Sequence, residues 1–128
     1  MFMEQLVIRK LWKSTDDILK LILGTEAVLK ETVTLLNFNS KKRKVARCIE
    51  EYITHLKRLL DLHQAGGIES QKIVAEIKRW QNLHQKLNVS EFNEYLSFIR
   101  EFSPLLTKAY LEVKTAKKGL SEELAKAA

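Results

Sequence analysis

The densest chemical signal in the chain is a run of cations at residues 41–47. Lys41, Lys42, Arg43, Lys44 and Arg47 place five positive charges within seven residues, and no acidic residue interrupts them. The pattern predicts that they begin a helix, where the macrodipole disfavours cations by a few tenths of a kcal/mol. Exposed cations beside free backbone N–H groups instead form a good phosphate site. Two other interpretations stay open, a plain solvated surface and a short basic nuclear-import signal at residues 41–45.

A second row of cations lies on the third predicted helix. Lys72, Arg79 and Lys86 recur every seven residues, and this spacing brings them to one side of a helix. If the second and third helices are neighbours, the two sets could merge into one patch that contacts the phosphate backbone. We expect the contacts to be independent of base sequence, since no base-reading motif is present. The predicted nucleic-acid-binding residues are Lys41, Lys42, Arg43, Lys44, Arg47, Arg58, Lys72, Arg79 and Lys86.

One spacing resembles that of a catalytic family. Arg79 and His84 stand in an Arg-x4-His arrangement, which is similar to the motif of the HEPN ribonucleases, a family of small helical bundles. The resemblance covers residues 79–84 and implies that the Arg and His of two protomers meet at a dimer cleft and cut RNA without a metal. Trp80 departs from the family pattern, where that position is usually polar. The alternative is a surface arginine beside a core histidine, and we therefore expect a protein that is not an enzyme.

Metal and cofactor chemistry has little support in the chain. Glu51 and His55 are four residues apart, but a metal site in a helical bundle needs a matching pair from another helix. No glycine-rich phosphate loop is present, and Cys48 lies beside an apolar stripe, where inert packing is the default. We expect neither a metal nor a cofactor.

Composition bounds the fold class and the compartment. The chain has 128 residues, of which 45% are hydrophobic and 30% charged, with a net charge of +6; these values favour one folded domain with anionic partners. A single cysteine excludes an intramolecular disulfide and indicates a reducing compartment, the cytoplasm or, in a eukaryote, the nucleus. No apolar run approaches the roughly 18–20 residues that span a bilayer. Residues 2–13 form either the first bundle helix or a membrane-surface helix with apolar Phe2, Leu6 and Trp12 and basic Arg9, Lys10 and Lys13.

Helical periodicity divides the chain into four segments. The segments cover about residues 3–37 (one helix or two stacked pieces), 41–64, 69–87 and 91–118. Pro104 predicts a kink or a fresh start in the fourth segment, and Gly119 predicts its end. Short connections make neighbouring helices antiparallel. The predicted fold is an all-α, antiparallel up-down-up-down four-helix bundle with its fourth helix kinked at Pro104, a single domain at 1–119 and a short tail at 120–128.

The architecture and the charge together lead to a functional prediction. The chain resembles small basic helical bundles that act as accessory subunits of nucleoprotein machines, such as the small helical subunits of CRISPR effectors and the bundle partners of reverse transcriptases in diversity-generating retroelements. No motif belongs specifically to either group. We predict a non-enzymatic accessory protein that contacts the RNA or DNA backbone beside protein partners, and self-association that completes its buried surface. The alternative is a protein-binding adaptor or chaperone with an acidic partner.

Overall fold

The structure is a computed structural model that describes residues 2–63 and 66–127. Within these residues the chain forms four helices, α1 (Phe2–Leu29), α2 (Phe38–Leu62), α3 (Ile68–Asn88) and α4 (Phe92–Ala127), and no strand. The side chains of residues 2–4 and 127 lie outside the description. No helix in the described part of the chain is both long enough and apolar enough to cross a membrane. The all-α prediction is confirmed.

The helices pack as an antiparallel bundle in the order α3, α2, α1, α4. α1 packs against both α2 and α4, and α2 packs against α3. Trp12 Nε1 donates to Ser121 Oγ at 2.8 Å, so the start of α1 lies beside the end of α4. α3 and α4 meet through large side chains, with the rings of Trp80 and Phe102 5.3 Å apart. The predicted four-helix bundle is confirmed.

The core is rich in aromatic side chains where α2, α3 and α4 converge. Tyr52 stacks on Trp80 with ring centroids 4.1 Å apart, and Trp80 Nε1 donates to Glu76 Oε2 at 3.1 Å. Burial raises the pKa of Tyr52, and the nearby carboxylates of Glu76 and Glu112 raise it further. The largest fully buried side chains are Tyr95, Phe98, Phe102, Ile18, Ile22, Ile49, Leu87, Leu106 and Val45.

The α1–α2 connection differs from the prediction. α1 is one continuous helix that ends at Leu29, and Leu36, predicted to lie on its apolar stripe, is 99% exposed. The Asn37 side chain stabilises the loop, since its Oδ1 accepts from the Thr34 N–H at 2.7 Å and its Nδ2 donates to the Thr32 carbonyl at 3.1 Å. These local bonds replace the helical ones.

The bounds of α2 also differ from the prediction. α2 begins at Phe38, three residues before the prediction, because the Phe38 ring is buried against Phe92 and Tyr95. Its predicted last residue, Gln64, lies outside the described residues, but Gly66 with φ of 80° marks the predicted turn after α2.

α4 is longer than predicted. It continues through Pro104 and Gly119 to Ala127, so no fresh start occurs at Pro104, while the kink stays a prediction. Contacts with α1 hold the part of α4 that follows Val113: Lys117 Nζ bonds Asp16 Oδ1 at 2.8 Å, and Ser121 accepts the Trp12 bond. Such contacts outweigh the low helix propensity of glycine. The domain bounds 1–119 and 120–128 stay predictions, and residues 1 and 128 lie outside the description.

Candidate nucleic-acid interface

Four of the five clustered cations have a partner within the fold, although Arg43 only donates its Nε–H to the Asn39 carbonyl at 3.4 Å. Lys41 and Lys44 both pair with Glu31, the second at 3.7 Å, and the Lys41 side chain is only 14% exposed. Desolvation lowers the pKa of Lys41, and the nearby charge of Lys44 lowers it further. Lys42 Nζ donates to the Ser90 carbonyl at 2.9 Å and lies 5.5 Å from the centroid of the Phe38 ring. The expectation of a fully exposed cluster is wrong for Lys41 and Lys42. Lys41 instead joins the start of α2 to the α1–α2 connection, and Lys42 joins it to the α3–α4 connection.

The early start of α2 also changes the backbone at this cluster. The Lys41 N–H donates to the Asn37 carbonyl at 3.0 Å, which is already a helical bond. The free N–H groups of the first turn therefore belong to residues before the cluster. The expected combination of cations with free N–H groups at residue 41 does not form.

The second predicted set consists of cations that are each paired with a glutamate. We call Lys72, Arg79 and Lys86 the α3 basic row. Two of the pairs lie within α3, and the third joins α3 to α4. The pairs are Lys72–Glu69 at 3.7 Å, Arg79–Glu76 at 3.3 Å and Lys86–Glu101 at 2.8 Å.

The α3 basic row lies away from α2. His84 Nε2 contacts Glu50 Oε1 of α2 at 2.9 Å, so the side of α3 with His84 faces α2. Lys86 follows two residues later, about 200° further around the helix, and reaches Glu101 of α4. The structure therefore does not bring the α3 basic row together with the arginines of α2.

Cations of α1 complete a different surface with those of α2. Arg58 lines an open groove of 420 Å³ between α1 and α2, together with Arg9 and Lys10. Arg43 and Arg47 continue along the exposed side of α2. All five side chains are exposed, and none forms an ion pair with another described residue. We call Arg9, Lys10, Arg43, Arg47 and Arg58 the α1–α2 basic surface.

The groove itself has a mixed lining. Leu6 and Leu62 supply apolar walls, while Lys13 also lines it and pairs with Asp17 at 3.1 Å. His55, which the sequence spacing paired with Glu51 as a candidate metal ligand, also lines the groove. Within the described residues, no group of three or more His, Cys, Asp or Glu side chains is arranged to hold a metal.

Trp12 shows which side of α1 faces the bundle. Its indole donates to Ser121, and Lys117 Nζ of α4 lies 4.9 Å from its ring centroid. The side chain of Phe2 lies outside the description. Trp12 is thus packed on α4, as expected for the first helix of a bundle.

The α1–α2 basic surface is long enough to contact several successive phosphates of one nucleic-acid strand. Fifteen residues separate Arg43 from Arg58, which is about 22 Å along a helix. One strand of duplex DNA presents about six phosphates over that length, at 3.4 Å each. Glu51 is also exposed on α2 between Arg47 and Arg58, so the surface is not uniformly positive.

Arg79 and His84, which have the Arg-x4-His spacing of the HEPN ribonucleases, lie on different sides of α3. Arg79 is held by Glu76, and a separation of five residues turns His84 about 140° away from it. Both ring nitrogens of His84 are engaged, Nε2 with Glu50 at 2.9 Å and Nδ1 with Asn88 at 3.2 Å. Within one chain the structure therefore does not bring Arg79 to His84.

Arg9 and Lys10 were not among the predicted nucleic-acid-binding residues. The sequence placed them only on a basic amphipathic helix. The signal that could have found them is the short connection after α1, because antiparallel pairing sets the first half of α1 beside the last half of α2.

Comparison of the chain with known protein families, with curated proteins and with solved structures found no match.

Proposed function

We propose that this protein is a non-enzymatic accessory protein that binds the backbone of RNA or DNA through the α1–α2 basic surface. The observation that carries the proposal is the presence of five exposed arginine and lysine side chains that form no ion pair with a described carboxylate. Unpaired cations attract phosphates and release the counterions condensed on them, and this release supplies most non-specific affinity. The half-buried Cys48 is a free thiol, which fits a reducing compartment such as the cytoplasm.

The proposed contacts are with phosphates and not with bases. Sequence-tolerant binding of single strands often adds aromatic side chains on which bases stack. Here Tyr52, Trp80, Phe98 and Phe102 are all buried in the core. The groove beside Arg58 has apolar Leu6 and Leu62 in its wall, with the imidazole of His55 but no Phe, Tyr or Trp side chain among its described lining residues. We therefore expect little preference for base sequence.

Salt dependence tests this proposal. Fluorescence anisotropy with a labelled single strand of mixed sequence, RNA or DNA, measures the dissociation constant as salt rises. Five phosphate contacts, each releasing about 0.7–0.9 of a counterion, predict a log–log slope of about −3.5 to −4.5. Absence of binding at about 50 mM salt would refute the proposal, as would a slope near zero.

One surface favours a second candidate function, the binding of a protein partner. Leu35 and Leu36 are 76% and 99% exposed in the α1–α2 connection, and the side-chain bonds of Asn37 hold that connection in place. Two adjacent exposed leucines on an ordered loop are typical of a contact site for another protein. This observation supports an accessory protein that works beside protein partners, or an adaptor.

A pulldown from the native host separates the two candidates. The wild-type protein and a Leu35→Ser/Leu36→Ser variant are each used as bait after nuclease treatment of the lysate. The adaptor function predicts a protein that is captured by the wild type and lost with the variant. If both baits capture the same proteins, this loop is not the contact site.

A further inference from the structure

A cavity of 420 Å³ lies at one end of the bundle, where the first halves of α1 and α3 meet the last parts of α2 and α4. It is distinct from the groove beside Arg58, and all four helices line it. Each helix contributes one large apolar side chain to its wall. These are Leu11, Leu59, Ile73 and Leu120.

The polar lining of the cavity is acidic, in contrast to the net charge of +6. Glu69 and Glu123 line it, and their side chains are 64% and 58% exposed, which places them at its mouth. Their ion pairs are long, 3.7 Å to Lys72 and 3.8 Å to Lys126. A cation bound at the mouth would therefore share each carboxylate with the lysine that already pairs with it.

We propose that this cavity binds a small apolar molecule that carries a positive charge. Its volume lies within the roughly 300–1,000 Å³ of ligand sites, which combine apolar walls with a few polar groups. The apolar body would lie among the four walls, and the charge would lie between Glu69 and Glu123. His63, also in the lining, adds a hydrogen-bonding ring. This site is independent of the proposed nucleic-acid surface.

Gly119 is a position at which a substitution can fill part of the cavity. It lies in the lining, and a Cβ atom built there would meet no atom within 4 Å. The Cβ of a Gly119→Leu variant would therefore lie in open space, and we expect the rest of the side chain to occupy part of the cavity; leucine also has a higher helix propensity than glycine. Gly24 is a matched control, because it too is inside a helix, with open space around a built Cβ, and it is not part of this lining.

The first experiment titrates the full chain with three aromatic dyes. The dyes are auramine O, which is cationic, phenylnaphthylamine, which is neutral, and anilinonaphthalene sulfonate, which is anionic. We expect auramine O to bind with a dissociation constant on the order of 10–100 µM and the anionic dye to bind at least tenfold more weakly. Gly119→Leu should weaken auramine O binding at least tenfold, and Gly24→Leu should leave it unchanged. Absence of saturable binding, or equal loss in both variants, would overturn the proposal.

A second variant tests the role of the charge without altering the cavity walls. Glu69→Gln/Glu123→Gln should weaken auramine O about threefold to tenfold and leave phenylnaphthylamine unchanged. Glu91→Gln/Glu112→Gln removes the same charge from two exposed glutamates outside the cavity and should change neither. If both double variants weaken the cationic dye equally, the general charge of the protein is responsible and the proposed site is wrong.

Discussion

The α1–α2 basic surface and the α3 basic row contain the same kinds of side chain but differ in their neighbours. On α3, Glu69 precedes Lys72 and Glu76 precedes Arg79 by three residues, and both pairs form. On α2 the order is reversed: Glu51 follows Arg47 and Asp61 follows Arg58, and neither pair forms within the described residues. An acid that precedes a base is the better order along a helix because it also agrees with the helix dipole.

A second difference lies in which residues the nearby carboxylates contact. Glu50 lies three residues after Arg47 but contacts His84 of α3 instead. On α4, Glu101 reaches across to Lys86 and neutralises the last residue of the α3 basic row. On α2 and α3, residue order and interhelical contacts thus distinguish the free cations from the paired ones, although on α1 the Lys13–Asp17 pair forms with the base first. A count of cations therefore overestimates the available charge.

The largest effect is expected from charge reversal on α2. Arg47→Glu/Arg58→Glu should weaken binding to a single strand of RNA or DNA by about 100-fold at about 0.1 M salt, because two counterion-releasing contacts become repulsive. The midpoint of thermal unfolding should change little, since both side chains are exposed and form no ion pair with a residue that the structure describes. Anisotropy and circular dichroism measure the two quantities. A folded variant that binds as tightly as the wild type would remove these arginines from the interface.

Smaller effects on stability and binding should distinguish Lys42, which bonds within the fold, from Arg47, which is free to bind nucleic acid. Lys42→Gln should lower the free energy of unfolding by about 1 kcal/mol, because the Ser90 carbonyl loses a charge-assisted hydrogen bond. Arg47→Gln should change it by less than about 0.5 kcal/mol but should weaken nucleic-acid binding more than Lys42→Gln does. Urea unfolding and anisotropy on both variants provide the check. The opposite ranking in either assay would show that the assignment of roles is wrong.

The smallest effect on binding is expected at the contact between α1 and α4. Hydrogen bonds from Lys117 and then Lys20 lower the pKa of Asp16, so its ionised form stabilises the fold. This stabilisation is present above the ordinary carboxyl pKa and is lost as pH falls towards the lowered value. Asp16→Asn should therefore unfold at a lower temperature than the wild type near pH 7, and the difference should shrink below about pH 4. Nucleic-acid binding near pH 7 should be unchanged, and a constant stability difference across pH would contradict this account.

The apolar periodicity predicted the helices and most of the core because burial imposes a helical spacing. Val45, Ile49, Tyr52 and Leu56 were predicted on one stripe of α2 and are all buried. The ends were less predictable, because they depend on side chains that are distant in sequence or on local loop bonds. Phe38 joins α2 through its contact with Tyr95, and Leu36 leaves α1 beside the Asn37 turn.

The candidate site was only partly predictable. Arg43, Arg47 and Arg58 were found from charge and helical position, and they are exposed. Lys42 was misjudged because its partner, the Ser90 carbonyl, lies 48 residues away. The separation of the two basic sets depends on how α3 is rotated about its axis, which one sequence does not determine.

Two triple variants of equal charge distinguish the α1–α2 basic surface from the α3 basic row. Arg9→Gln/Lys10→Gln/Arg58→Gln removes three cations from the α1–α2 basic surface, and Lys72→Gln/Arg79→Gln/Lys86→Gln removes the α3 basic row. The first should flatten the salt dependence of nucleic-acid binding by about two to three units, at 0.7–0.9 per contact, and the second by less than about one unit. Equal flattening by both variants, or a larger effect of the α3 variant, would contradict the claim that unpaired cations between α1 and α2 form the interface.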